Sequence, residues 1–193
     1  MYLPTNKIFV FVYCFWFNLL NVSAQQEIIM DFTPAEVNFA NWDVVNDGVM
    51  GGLSNGKLRF ENRILYFSGE LSLANNGGFS LIRTGTYNLN LSEFDGISIR
   101  VKGDGREYQM RLNTDASFRS MPVAFSAKFK TVKDEWSEIK IPFELFSGSF
   151  RGIPLSQEKL DPAKISRLGI LLGDKKAGTF YLQIDWIRSY TAK

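Results

Sequence analysis

The most regular feature of the chain is an alternation of apolar and polar residues with a period of two. Apolar side chains alternate with polar ones on both sides of the turn signal at residues 103–105, and again through residues 180–186. On a β-strand this period places one set of side chains in a core and the other outside. We therefore expect a hairpin over residues 97–113, and a last strand in which Trp186 is buried in phase with Phe180.

Shorter strand patterns cover most of the remaining sequence. They are rich in β-branched and aromatic residues, which fit a pleated surface, and lie at residues 28–32, 58–67, 79–83, 125–129, 136–141 and 168–172. The second of these predicts a hairpin turning at Asn62 and Arg63. Residues 33–41, 42–56 and 143–164 are predicted as connections, and no helical period of ten or more residues follows residue 24. Many short strands separated by turn signals indicate an all-β fold, a β-sandwich or barrel.

The N-terminal segment has a different composition. Lys7 is its only charge, an apolar run covers residues 8–20, and small residues follow at 22–24. This pattern is typical of a signal peptide, and the run is too short to cross a bilayer core of about 30 Å at about 1.5 Å per residue. We expect a signal peptide at residues 1–24, one domain at residues 25–193, and a periplasmic or secreted protein. An uncleaved N-terminal anchor is the alternative, and no transmembrane segment is expected after the leader.

Composition excludes several classes of chemistry. The chain has no histidine, and its one cysteine, Cys14, would leave with the leader. Ser-His-Asp triads, Cys-His pairs and histidine metal sites are thereby excluded, and no phosphate-binding glycine loop is present. The net charge of +2, without a basic run, predicts no nucleic-acid partner. We expect no cofactor and no metal, which leaves a pair of carboxylates acting on a glycan as the enzymatic alternative.

Residues 42–54 are the most informative segment outside the alternating strands. Trp42 is followed by Asp47 and by glycines at 48, 51 and 52. Glycine permits a positive φ and close backbone approach, and an aspartate carboxylate can accept hydrogen bonds from successive amides. In one interpretation the loop is structural and caps the sandwich, with Trp42 and Met50 as its plug. In the other it is a ligand loop on a rigid scaffold.

Two further groups of polar residues are candidate ligand contacts. Asn75 and Asn76 lie in a turn before Gly77, and either form a plain turn or point their amides into a binding mouth. Arg100, Arg111 and Asn113 occupy polar positions of the predicted 97–113 hairpin, which would bring them to one face together with Gln109. That face is either merely solvated, or concave and suited to holding hydroxyl groups or a carboxylate.

The order of these motifs resembles the complex I intermediate-associated protein 30 family. The resemblance rests on matching residues at Trp42, Asp47, 49–52, Ser54, 67–69, Leu71, Ser72, 76–80, 95–97, 100–106, 169–175, Gly178, Phe180 and 185–187. It extends over residues 28–190 and implies a galactose-binding-like jelly-roll sandwich. It also implies a role like that of the mitochondrial members, which help to assemble respiratory complex I, and it supplies no catalytic residues.

The leader and the family resemblance together define the functional hypothesis. A bacterial member with a signal peptide would work on the far side of the membrane from the cytoplasmic arm of complex I. We therefore predict a non-enzymatic, monomeric binding or assembly domain outside the cytoplasm, whose partner is a protein segment or a glycan. A carbohydrate-binding module is the first alternative and a carboxylate-based glycan enzyme the second. Exposed aromatic residues near Trp42 and Asn75 would favour a glycan, and a flat apolar patch would favour a protein.

Overall fold

The alternating segments form two antiparallel sheets in the computed structural model, which describes residues 26–192. One sheet has six strands: β1 (Gln26–Met30), β3 (Asn55–Glu61), β4 (Ile64–Leu71), β6 (Gly96–Gly103), β9 (Trp136–Pro142) and β13 (Gly178–Tyr190). Its order is β3-β4-β13-β6-β9. β1 pairs with the end of β13 beyond the part that β4 covers, so that β1 and β4 follow one another along the same edge.

The second sheet has seven strands: β2 (Asp43–Asn46), β5 (Ser80–Arg83), β7 (Glu107–Phe118), β8 (Met121–Lys130), β10 (Ser147–Phe150), β11 (Ile153–Pro154) and β12 (Arg167–Leu172). Its order is β11-β10-β8-β7-β12-β5-β2. The run at 168–172, predicted as a strand, is β12 and lies between β7 and β5. The all-β jelly-roll sandwich expected from the sequence is confirmed.

The core lies between the inner faces of the two sheets. Phe67, Ile99 and Leu182 enter it from the six-stranded sheet, and Tyr108 and Phe125 from the seven-stranded sheet, each with no more than 1% of its surface exposed. Because successive strand residues point to opposite faces, the polar residues between them form the two outer surfaces. A ligand that meets this domain on a sheet therefore meets one of these two outer faces.

The predicted hairpin at residues 97–113 is wrong, although both of its strands exist. β6 pairs with β13 and β9, whereas β7 pairs with β8 and β12. The turn at residues 103–105 therefore carries the chain from one sheet to the other. A hairpin and a sheet-to-sheet connection produce the same alternation, because in both the apolar side chains face a core. The predicted 58–67 hairpin is confirmed as β3–β4, with positive φ at Asn62 (50°) and Arg63 (61°).

The prediction that Trp186 is buried is also wrong. The β13 register shifts between Ile184 and Trp186, which is a β-bulge at Asp185. An extra residue in one strand reverses the face of every side chain that follows it. Ile187 is consequently the buried residue, with 1% exposed, and Trp186 lies on the outer face with the Arg188 guanidinium 4.2 Å from its ring centre.

All three predicted connections contain regular structure, and residues 143–164 include β10 and β11. Residues 33–41 include α1 (Pro34–Ala40), and residues 42–56 include β2 and a short 3-10 helix at Asp47–Met50. The predicted leader at residues 1–24 lies outside the described residues. Within residues 26–192 none of the helices is both long and apolar enough to span a bilayer.

Candidate functional site

Asp47 is the centre of the glycine-rich segment, and its carboxylate is fully buried. It accepts hydrogen bonds from the Ser54 amide (2.9 Å), the Ser54 hydroxyl (2.6 Å), and the amides of Gly78 (2.6 Å) and Phe79 (3.3 Å). These donors come from the loop that contains Asp47 and from the 75–79 turn. The carboxylate therefore joins two segments that are distant in the sequence.

The pKa of Asp47 is lowered from its ordinary value. Burial raises the pKa, but the hydrogen bonds from Ser54, Gly78 and Phe79 together outweigh that effect. Hydrogen bonds to the charged form of a carboxylate favour ionisation. Asp47 is consequently an anion whose acceptor capacity is used within the protein, which is what the structural interpretation of the loop requires.

Two glycines are needed because they pass so close to this carboxylate. A Cβ added at Gly52 would lie 2.3 Å from Cγ of Asp47, and one added at Gly77 would lie 2.6 Å from its Oδ2. Gly51 is needed for another reason, since its φ of 86° is in the region that L side chains rarely adopt. The motif is therefore shaped around the Asp47 carboxylate.

The other candidate residues near this loop make contacts within the protein or lie exposed. Asn75 has a left-handed φ of 55°, and its side chain donates to the Gly51 carbonyl at 3.0 Å, while Asn76 is exposed beside it. Trp42 packs on the core, 6.2 Å from the ring of Phe32. Met50 is 66% exposed, so it does not form the plug predicted with Trp42. These residues do not surround a common cavity.

The outer face of the seven-stranded sheet does carry a cavity, and it contains two of the predicted residues, Arg111 and Asn113. The volume is about 270 Å³. We call it the arginine cavity, and its lining consists of Leu81, Arg83, Arg111, Asn113, Pro122, Ala124, Arg167, Leu168 and Gly169. Strand register explains the grouping, because Gly169 pairs with Arg111 on one side and with Arg83 on the other. Neighbouring strands lie about 4.8 Å apart, so the backbones of Arg83 and Arg111 are about 10 Å apart, with Gly169 between them.

The three guanidinium groups of this cavity have few partners. Arg83 approaches Asp43 at 3.6 Å, and both side chains are more than a third exposed. Arg167 donates to the Thr86 hydroxyl at 2.8 Å, but its buried Nε has no partner. Among the described residues, no hydrogen bond or ion pair is made by the side chain of Arg111, and burial lowers its pKa. The cavity therefore holds positive charge that the protein itself does not balance.

A second cavity, of about 330 Å³, lies further along the same face. We call it the lysine cavity, and its lining consists of Gly105, Glu107, Gln109, Lys128, Lys130, Gly173, Asp174, Lys175 and Lys176. Both cavities are lined by outward positions of β7 and β8, so they lie in line along the strands. Together they are lined by seven cationic and two anionic side chains.

The predicted grouping of Arg100 with Arg111 is wrong. Arg100 lies in β6 of the six-stranded sheet, on the opposite side of the sandwich, where it pairs with Asp185 and places its guanidinium 5.0 Å from the ring centre of Trp136. The cause is the sheet-to-sheet turn at 103–105. Sequence reasoning also missed Arg83 and Arg167, because only the order β7-β12-β5 brings them beside Arg111.

Comparison with known proteins assigns the family. The family model described as "Complex I intermediate-associated protein 30" matches residues 30–184. The chain belongs to the complex I intermediate-associated protein 30 family. The mouse protein named complex I intermediate-associated protein 30, mitochondrial, is 30% identical over 190 residues, which cover 88% of this chain and 58% of the mouse protein. A probable Caenorhabditis elegans counterpart is 33% identical over 100 residues, covering 50% of this chain and 29% of that protein.

Solved structures place this family domain in a wider fold group. The family 11 carbohydrate-binding module of a Clostridium thermocellum cellulosomal cellulase superposes with a TM-score of 0.66 at 16% identity, covering 88% of this chain and 96% of the module. At that identity the likeness concerns the fold. It agrees with the galactose-binding-like sandwich, and the family domain therefore has the architecture that the sequence predicted.

Proposed function

We propose that this chain is a non-catalytic, assembly-factor-like binding domain that works outside the cytoplasm and holds a protein partner on the outer face of its seven-stranded sheet. The observation that carries the proposal is the pair of cavities in line on that face, lined by seven cationic and two anionic side chains. The family, whose mouse member is named for association with a complex I intermediate, supports a protein partner. The domain is proposed to act as a monomer.

The acids of the lysine cavity support a non-catalytic role. Glu107 is 2.8 Å from the Lys128 ammonium, and Asp174 is 2.5 Å from the Arg106 guanidinium. Burial raises the pKa of Asp174, but the bond and the charge of Arg106 outweigh it, and the pKa is lowered. A glycan hydrolase needs a carboxylic acid that stays protonated to donate to the leaving group. The lowered pKa of Asp174 favours the ionised carboxylate, which cannot donate a proton.

A glycan partner is the second candidate, favoured by the likeness to a carbohydrate-binding module and by aromatic side chains on the outer face of the six-stranded sheet. The ring faces of those side chains are engaged, however. Guanidinium carbons lie 4.3 Å from the ring centre of Tyr66, 5.0 Å from that of Trp136 and 4.2 Å from that of Trp186. A sugar ring would have to displace these cations in order to stack on the ring faces that they cover, which favours a protein partner.

Site-specific photocrosslinking tests the proposed surface. A benzophenone amino acid replaces Lys130, which lines the lysine cavity, or Lys57, an exposed lysine on the outer face of the six-stranded sheet. Both changes remove one surface lysine, so the net charge stays matched. After irradiation of the cells that produce the protein, we expect a discrete protein adduct from position 130 and none from position 57. Equal amounts of adduct from the two positions would reject the proposal. So would the absence of an adduct from position 130 together with binding of the protein to a glycan array.

The proposed location has its own test. If residues 1–24 are a cleaved signal peptide, the intact mass of the protein recovered from outside the cytoplasm should correspond to a chain that begins at or near Gln25. Signal peptidase cleaves after small residues such as those at 22–24. Recovery of the uncleaved chain from the cytoplasm would contradict the proposed location and leave the binding surface unaffected.

A further inference from the structure

Arg111, on the outer face of the seven-stranded sheet, combines partial burial with the lack of an ion pair among the described residues. Its side chain is partly buried between β8 and β12, burial lowers its pKa, and it has no ion-pair partner within residues 26–192. A guanidinium remains protonated in proteins, so the charge is present at any ordinary pH. A desolvated charge without a partner costs free energy, which a bound anion would recover.

The neighbours of Arg111 make the same place fit for a carboxylate. Arg83 approaches from across Gly169, and Arg167 lies two residues before Gly169 on β12 with an unpaired buried Nε. Planar guanidinium groups bind carboxylates through paired hydrogen bonds. Gly169 adds no side chain between the arginines, and a Cβ there would lie 2.8 Å from the Ile82 carbonyl oxygen and 3.2 Å from Cδ1 of Leu81. The Asn113 amide side chain, which donates to the Val123 carbonyl at 2.7 Å, lies at the edge of the cavity.

We infer that the arginine cavity is a carboxylate-binding site, and that its occupant is an acidic side chain of an extended protein segment lying along β7. The inference deepens the proposed function and rests on it. Outward positions of β7 recur about every 6.6 Å, and an extended peptide repeats its side chains with the same period. A second acidic side chain of such a segment therefore reaches the lysine cavity, where Lys130, Lys175 and Lys176 make no ion pair among the described residues.

Charge complementarity and the lining favour a peptide over an acidic glycan. Seven of the nine ionisable side chains along the two cavities are cationic, and neither cavity has an aromatic ring in its lining. Sugar recognition commonly uses the flat face of an aromatic side chain against the ring, and nothing in these linings offers it. The pleated floor instead presents alternating polar positions that match the repeat of an extended chain.

Nuclear magnetic resonance titration of the purified, ¹⁵N-labelled protein tests this site. The probes are an end-blocked peptide of alternating Gly and Glu, the same peptide with Gln in place of Glu, and an oligogalacturonate of similar charge. The key variant is Arg111→Gln, and its control is Arg100→Gln on the opposite outer face. We expect the Glu peptide to shift resonances of β7 and β12 and its affinity to fall about tenfold to a hundredfold in Arg111→Gln, as for loss of a charged hydrogen bond.

The control and the remaining probes define the other outcomes. Arg100→Gln should bind the Glu peptide as the parent does, and the Gln peptide should not bind. Arg167→Gln repeats the test if Arg111→Gln melts at a clearly lower temperature than the parent. Equal affinity in the Arg111 and Arg100 variants, no binding of the Glu peptide, or binding of oligogalacturonate alone would overturn the inference. A crosslinked protein at position 130 without peptide binding would reject this inference and leave the proposed function in place.

Discussion

Replacement of Asp47 with alanine is expected to lower the free energy of unfolding by about 4 kcal/mol, because it leaves several buried donors without an acceptor. The amides of Ser54, Gly78 and Phe79 and the Ser54 hydroxyl all donate to this one carboxylate. Gly52 and Gly77 pack directly against the carboxylate group and bring no side chain that could replace it as an acceptor. For a domain of this size the melting temperature should fall by roughly 8–16 °C.

Asp43 supplies the matched control for this prediction. It stands at the start of β2, the strand that leads directly to Asp47, its side chain is 61% exposed, and its ion pair with Arg83 spans 3.6 Å. Asp43→Ala should change stability by less than about 0.5 kcal/mol, as surface substitutions usually do. If thermal unfolding places Asp47→Ala within about a degree of the parent, the carboxylate does not hold the two loops together, and the ligand-loop interpretation would replace the structural one.

Acid unfolding gives an independent measurement of the same interaction. The pKa of Asp47 is lowered below its ordinary value of 3.8 in the folded protein. Between the two values the unfolded state binds more protons, so the contribution of Asp47 is fully present above the ordinary value and is lost as the pH falls through the folded pKa. Stability of Asp47→Ala should therefore depend less steeply on pH below about 5 than that of the parent.

The strands were predictable from the sequence because their information is local. The alternation of apolar and polar residues predicted β6, β7 and most of β13. The turn residues Asn62 and Arg63 predicted the hairpin of β3 and β4 correctly. Which sheet each strand joins is not local information, since inward-facing side chains alternate in the same way in either sheet. The bulge at Asp185 escaped prediction for a related reason, because Ile187 and Trp186 are both apolar and either could face the core.

The candidate site was predictable only in part, for the same physical reason. Arg111 and Asn113 share an outer face because they are two residues apart on one strand. Their neighbours Arg83 and Arg167 come from β5 and β12, and only the strand order places them in the same cavity. The glycine-rich motif was easy to notice but is used to hold the loops. The residues proposed to bind the partner carry no recognisable motif of their own.

The ion pair of Arg106 with Asp174 is the second place where a single change should have a large effect. The two side chains are 11% and 6% exposed and lie 2.5 Å apart. Burial lowers the pKa of Arg106 and raises that of Asp174, but the mutual bond outweighs burial on both sides, so the pKa of Arg106 is raised and that of Asp174 is lowered. Arg106 also donates to the carbonyl of Lys176, which ties the connection between β12 and β13 to the start of β7.

Arg106→Met should lower the free energy of unfolding by about 3–5 kcal/mol, because it leaves the buried Asp174 carboxylate without its cation. The double variant Arg106→Met with Asp174→Leu should lose less than Arg106→Met alone, since apolar residues of similar volume often replace a buried ion pair without loss. Chemical denaturation of the parent and the three variants of this cycle measures the coupling. Arg59→Met is the control, because Arg59 and Glu61 form a pair in which both side chains are at least half exposed.

The coupling of Arg106 with Asp174 can fail this test. A double variant that loses as much stability as the two single variants added together would show that the pair is not coupled. The anchoring of Lys175 and Lys176 at the lysine cavity would then depend on the surrounding backbone rather than on this bridge.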